Sequence, residues 1–259
     1  MMKAMKHTSG KTHYSFKEMI VLKKVSGRIG KTVSAVFAAA VLAMGTGALP
    51  GSQSVAFAAA SEISLPAPQM SGGMPLMEAL DQRKSERHYA DLPLTEAQLS
   101  NILWAANGIN RSAGDPSQAK RVNPAALGVY SVDVYAVTPD GIYLYEPNGH
   151  TLNLVAEGDY RGATTSGQSF VKTAYLSLVY VEYPTAWQTA SRFPDEESRL
   201  AFATISAGAM AQSVGLVAAS EGLGNCVRAS VDRDAFRAAA DLPSDRHILF
   251  AQTVGVPES

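Results

Sequence analysis

The chain has 259 residues, a net charge of −1 and a single cysteine, Cys226. Residues 1–58 hold eight basic residues against one acid, a net of +7, which leaves residues 59–259 near −8 with 14 basic and 22 acidic residues. So acidic a body argues against a nucleic-acid partner, whose phosphates call for a basic face, and one cysteine excludes an internal disulfide.

The N-terminus reads as a leader. Met1–Lys31 is basic, Val33–Leu49 is apolar and uncharged, and Ala56-Phe57-Ala58 puts small residues where a signal peptidase reads. This is the layout of a Sec-type signal peptide cleaved near Ala58. It predicts an exported, periplasmic protein with no stable membrane insertion after cleavage. The alternative, an uncleaved anchor, suffers from an apolar run shorter than the ~20 residues of a spanning helix. Residues 59–73, with Pro66, Pro68, Gly72 and Gly73, read as an extended linker or arm, and 74–259 as the folded domain.

Pro75 opens a first helix at a favoured position, with Leu76, Met77, Ala79 and Leu80 on one side. A second helix follows Thr95, where Gln98 completes a capping box and Leu99, Ile102, Leu103 and Ala106 follow helical spacing to a stop at Gly108. Residues 109–123 are polar and read as a loop. Val129–Val137, Ile142–Tyr145 and Leu152–Val155, separated by Pro139-Asp140-Gly141 and Pro147-Asn148-Gly149, read as a three-stranded meander. Lys172–Tyr183 is apolar on both faces in its middle, as a central, doubly covered strand would be. Glu196–Ala219 is a long helix rich in small residues, suited to close packing in the core or at a subunit interface. A short helix around Ala235–Ala240 and a strand Ile248–Val256 complete an α+β domain, a central, mainly antiparallel sheet packed with helices.

The most chemically suggestive stretch is Arg83-Lys84-Ser85-Glu86-Arg87. Three cations and a hydroxyl within five residues suit a phosphate; a solvated helix end, with cations near the negative pole of the dipole, is the plainer reading. Other chemistries find no support. His88, His150 and His247 lie at no metal-ligand spacing, and no Gly-x-Ser-x-Gly elbow, Walker loop or Gly-x-Gly-x-x-Gly after a strand is present.

Four features in fixed order then carry a resemblance. They are Arg83-Lys84-Ser85-x-Arg87, the helix ending Leu103-Trp104-Ala105-Ala106-Asn107-Gly108, the run from Arg121 through Pro124-Ala125-Ala126 to Asp133-Val134-Tyr135, and Ala207-Gly208-x-x-Ala211-Gln212 leading to Glu221-Gly222-Leu223-Gly224. Together they resemble the nitroreductase-like FMN-dependent oxidoreductases, most of all the branch of azoline dehydrogenases. The resemblance implies a nitroreductase-like fold in a domain-intertwined homodimer with FMN at the subunit interface, and no metal. It implies that Arg83, Lys84, Ser85 and Arg87 meet the FMN phosphate, ribityl chain and pyrimidine edge, and that Pro124, Ala125 and Ala126 reach the flavin from the partner. Gln212 belongs to the family's Gln-Asn pair, here Gln212-Ser213. Glu221, Gly222, Leu223 and Gly224 would lie along the flavin, with a backbone N–H of Glu221 or Gly222 offered to N5.

The implied activity is ping-pong hydride transfer between a reduced donor, NAD(P)H among the candidates, and a small conjugated acceptor such as a nitroaromatic or quinone. Dehydrogenation in the opposite sense fits the same residues. Two departures weaken the cofactor's grip: Ala125 replaces a serine, and Val254-Gly255-Val256-Pro257 is followed by Glu258-Ser259 where relatives often carry a cation. Arg228 is the candidate substitute. A binding protein with the same fold and weakened flavin binding, or the dehydrogenase subunit of a peptide-tailoring complex, are the alternatives. Residues 109–123 and 184–197 are expected to shape the substrate pocket, with Tyr183, Trp187 and Phe193 either stacking on an aromatic substrate or packing a lid.

Overall fold

The structure is a computed structural model and describes residues 61–190 and 194–258. The leader expected over 1–58, and Phe193, lie outside these residues. Among the described residues nine strands form: β1 (Glu62–Ser64), β2 (Ile109–Arg111), β3 (Lys120–Arg121), β4 (Val132–Val137), β5 (Gly141–Glu146), β6 (Thr151–Glu157), β7 (Leu176–Glu182), β8 (Gly224–Arg228) and β9 (His247–Gly255). Four α-helices accompany them: α1 (Leu76–Gln82), α2 (Glu96–Asn107), α3 (Glu196–Ser220) and α4 (Arg233–Ala239). Seven strands make one sheet in the order β1-β6-β5-β4-β7-β9-β8, antiparallel throughout.

The fold follows from side-chain alternation. In β7 every residue is buried, because both faces of the sheet are covered. Leu176, Leu178 and Tyr180 face the larger core with α2 and α3 (Leu99, Ile102, Leu103, Ala207, Met210, Val214). Val179 and Val181 face a smaller core built on Phe236 of α4, Tyr135 and Ile248. A strand whose two faces are both apolar therefore sits at the middle of a three-layer α/β/α arrangement. The capping box of α2 forms as expected: Gln98 N–H donates to Thr95 Oγ1 at 3.2 Å, and Thr95 N–H donates to Gln98 Oε1 at 3.0 Å.

Several expectations are corrected. The arm is in part a strand, since β1 extends the sheet along β6. The loop 109–123 contains the β2–β3 pair and a 3₁₀ turn at Pro116–Gln118. On α1 only Ala79 is buried, and Leu76, Met77 and Leu80 are exposed, Met77 by 75%. Seven residues make two turns, too short a helix to lay a full apolar stripe, and α1 meets α3 through its one small side chain. The long helix α3 buries Ala203, Ala207, Met210, Ala211, Val214 and Ala218 yet leaves Ile205 on its other side 70% exposed. Cys226 is buried and unpaired, consistent with a structural residue.

Candidate functional site

The basic segment leaves α1 as extended chain, Arg83 having φ −59 and ψ 120. It runs beside the start of β8: Ser85 forms a parallel bridge with Asn225, and Glu86 N–H donates to Asn225 O at 2.8 Å. Extended chain alternates its side chains, and the cluster divides accordingly. Lys84 Nζ lies 3.3 Å and His88 Nδ1 3.5 Å from the Glu86 carboxylate. Backbone N–H groups of His88 (3.0 Å) and Arg87 (2.8 Å) also donate to Glu86 Oε1. These two bonds, His88's first, pull the Glu86 carboxyl down to about 2. Arg83, Ser85 and Arg87, the alternate set, have no side-chain hydrogen bond or ion pair with any described residue. The five residues are thus two groups: a self-neutralised Lys84–Glu86–His88 cluster, and three uncommitted donors.

Beside this segment α3 ends in a glycine-bearing turn. Gly222 sits at φ +68 in the left-handed region, and a Cβ there would have open space around it. Gly224 is glycine for the opposite reason. A Cβ at Gly224 would come 2.7 Å from Glu86 Cγ, whereas one at Gly215 would meet Asn225 Oδ1 at 3.3 Å and Arg83 Cδ at an ordinary contact of 3.4 Å. Gly224 lets the basic segment lie directly on β8, and Arg83 packs at Gly215 of α3. A 260 Å³ cavity at this junction is lined by Lys84, Glu86, Gly222, Leu223, Gly224 and Pro257 among others.

With that geometry in place, comparison with known proteins is decisive. The family model described as "Nitroreductase family" matches residues 80–256. The chain belongs to the nitroreductase family. A solved nitroreductase-type protein from Ralstonia eutropha JMP134 is 38% identical, covers 77% of this chain and 91% of its own, and superposes with a TM-score of 0.70. A nitroreductase-type protein of Methanocaldococcus jannaschii is 28% identical over 158 residues, 58% of this chain and 75% of its own. A chain of the E. coli microcin synthetase McbBCD complex shares the fold at 20% identity and a TM-score of 0.56, covering 75% of this chain and 78% of that one. The nitroreductase-like fold expected from the motifs is the fold found.

Two expectations tied to the nitroreductase resemblance do not hold in this geometry. Arg228 is not available to a phosphate. It is 3% exposed, and its five N–H groups are all spent: Nε on Thr253 Oγ1 (2.7 Å), Nη1 on Thr164 O (2.8 Å) and Ser230 O (3.5 Å), Nη2 on Thr164 Oγ1 (3.3 Å) and Ser177 Oγ (3.4 Å). Burial lowers its pKa to about 10. Secondly, neither N–H of Glu221 nor of Gly222 is free for N5. Glu221 N–H donates to Val217 O (3.0 Å) and Gly222 N–H to Ala219 O (3.2 Å), because the last carbonyls of a helix need donors and the turn supplies them. Of the two roles left open for Trp187, packing is the one its surroundings favour: it is buried, and its indole N–H donates to Glu182 Oε1 at 3.2 Å.

The other residues divide by location. Pro124, Ala125 and Ala126 do not line the cavity beside Gly222. Asn123, just before them, is held by Ser213 Oγ (2.6 Å) and by the carbonyls of Ala105 (2.7 Å) and Ala106 (2.9 Å). Gln212 is exposed on α3. Asn123 therefore meets α3 at position 213 and Arg83 meets it at 215. Residues two apart on a helix point to different sides, so within one protomer the Pro124 loop and the basic segment flank α3 rather than converge. Tyr130 and Tyr183 line a separate 410 Å³ cavity with Arg121. Sequence reasoning missed Asn225, whose carbonyl and β-bridge fix the basic segment, because β8 carries no periodic signal of its own.

Proposed function

We propose that the protein is an FMN-dependent oxidoreductase whose flavin phosphate is held by Arg83, Ser85 and Arg87. One observation carries this: these three donors stand uncommitted on alternate positions of a segment fixed to β8, while the intervening Lys84 is already neutralised by Glu86. Two guanidinium forks and a hydroxyl are a donor set that suits a phosphate. The open, left-handed Gly222 lets a planar ring approach the backbone. Arg83, Ser85 and Arg87 supply the donors for the phosphate and Gly222 a close approach for the ring without a free N–H, while the cavity beside Gly222 is itself lined by Lys84 and Glu86 and not by the three donors. When bound, the flavin supplies the hydride exchange at N5. The chain's own part is to fix the phosphate, to present an uncrowded backbone to the ring and to leave the substrate face for a second surface.

A homodimer supplies that surface in this reading. It is supported by the exposed Leu76, Met77, Leu80 and Ile205 and by the position of the Pro124–Ala126 loop on the far side of α3, from where it reaches a neighbouring protomer's site more readily than its own. The donor is a reduced small molecule, NAD(P)H if the protein meets one, and the acceptor a small conjugated compound such as a nitroaromatic or quinone. Export to the periplasm, read from residues 1–58, is part of the proposal and makes a donor other than a nicotinamide attractive. The azoline-dehydrogenase branch rests on motif order, since the likeness to the microcin synthetase chain is one of fold.

The test is the visible spectrum of the purified protein before and after adding FMN. About one equivalent of bound FMN per chain is expected. A protein that stays colourless at high FMN would contradict the proposal and leave the same-fold binding protein, to which Ala125 and the acidic Glu258 point.

A further inference from the structure

A second cavity lies behind the turn that ends α3. Its volume is about 250 Å³, and it is lined by Gln69, Gly73, Asn101, Trp104, Ser220 and Glu221 among others. That is room for roughly eight water-sized groups of ~30 Å³ each. Its walls are fixed by specific contacts. Gln69 N–H donates to Asn101 Oδ1 (2.8 Å), and Asn101 Nδ2 donates to Glu221 Oε1 (2.7 Å), so one amide ties the arm to the carboxylate. Met74 N–H donates to Ser220 Oγ at 2.8 Å. Gly73, at φ +79, passes so close that a Cβ would lie 2.8 Å from Ser220 Oγ. Trp104 is held with its indole N–H on Ile109 O (3.1 Å) and its ring over Gly108, where a Cβ would come within 2.3 Å of the ring.

The construction leaves one group unanswered. Glu221 Oε2 is buried and has no hydrogen-bond partner among the described residues, although an unpaired buried acceptor is costly and more so when charged. Burial accordingly raises the Glu221 pKa, against the opposing Asn101 bond. No cation among the described residues lines the cavity. A carboxylate oxygen lacking a donor and an indole whose N–H is already bonded, both belonging to residues that line one cavity, are the two halves of an ammonium site: a charge-assisted hydrogen bond and a cation–π ring.

We propose that this cavity binds a small organic ammonium group, with Glu221 Oε2 accepting its N–H and Trp104 covering its apolar part. The site uses the side chain of Glu221, whereas the flavin reading uses the backbone of the neighbouring Gly222, so the two stand or fall separately.

The probe is benzylamine, cationic at pH 7.5, against benzyl alcohol as its neutral counterpart. Both are titrated calorimetrically into the purified chain without FMN and again with FMN, whose binding is read by absorbance in the same samples. Benzylammonium is expected to bind at least tenfold more tightly than the alcohol, with Glu221→Gln, checked for folding by thermal melting, erasing that preference. In the unaltered protein, affinity for the amine should fall as pH drops through the raised Glu221 pKa, while the alcohol's stays level. Equal binding of amine and alcohol, no binding at millimolar amine, or a preference that survives Glu221→Gln would overturn the proposal, whatever the absorbance says about FMN.

Discussion

Arg83 and Arg228 are both arginines near the two ends of the β8 neighbourhood, and they have opposite fates. Arg228 is buried with every N–H on a neutral protein oxygen; it staples β8 to β9 through Thr253, to β7 through Ser177 and to the Thr164 turn. Arg83 lies against α3 at Gly215 through its methylenes, and its fork has no acceptor among the described residues. The lesson is that the availability of donors, rather than the residue type, separates a structural arginine from a ligand-binding one. Burial alone would mislead, since a deeply placed arginine is the more eye-catching of the two.

The largest expected effect lies on the structural side. Arg228→Met leaves the Thr164 and Ser230 carbonyls and three hydroxyls without donors, and at about 1–3 kcal/mol for each orphaned buried group a net loss of about 3 kcal/mol is expected. Urea denaturation checks it; a loss below 0.5 kcal/mol, about the size of a neutral surface change, would dissolve the contrast. Next comes Arg83→Ala. A charge-assisted hydrogen bond is worth about 1.5–3 kcal/mol, so FMN affinity should fall roughly tenfold or more while the denaturation midpoint barely moves. Gly224→Ala sharpens the comparison from below. A methyl 2.7 Å from Glu86 Cγ must push the basic segment off β8, with about 1–3 kcal/mol of overpacking and weaker FMN binding together. Stability without altered FMN binding would show that the segment's contact with β8 does not position the site.

The smallest effect is a pH dependence. The Glu86 carboxyl is lowered from 4.5 to about 2 in the fold, so its stabilising contribution is full above pH 4.5 and is lost as pH falls toward 2. The unfolding midpoint of Glu86→Gln should therefore be flatter than that of the unaltered protein across that window. Parallel curves would mean that the backbone N–H groups of Arg87 and His88 do not hold the carboxylate in solution.

Much of the frame was legible. The capping box at Thr95 and Gln98 set the start of α2, and the turns at Asp140-Gly141 and Asn148-Gly149 delimited β4, β5 and β6. The two-faced apolar run around Leu178 marked the central strand. These are local signals, written within a dozen residues of what they specify. The illegible parts depend on distant partners. β8, reading Gly-Asn-Cys-Val-Arg, has neither alternation nor a β-branched run, and becomes a strand because β9 pairs with it. Arg83–Arg87 reads as one cluster on paper, yet the bridge from Ser85 to Asn225 turns it into extended chain and sorts its side chains onto two sides. Arg228 looked like a spare cation because its five acceptors come from Thr164, Ser177, Ser230 and Thr253, up to 64 residues away. The exposed Leu76 and Met77 obey a helical pattern that no surface among the described residues buries.

The central claim is that Arg83, Ser85 and Arg87 form the phosphate end of the cofactor site while Lys84 is occupied by Glu86. Equilibrium titration of FMN into Arg83→Ala and Lys84→Ala, side by side with the unaltered protein, tests it most directly. The account predicts a loss of about tenfold or more for Arg83→Ala and a clearly smaller one for Lys84→Ala. A larger loss for Lys84→Ala, or FMN binding indifferent to Arg83, would contradict it.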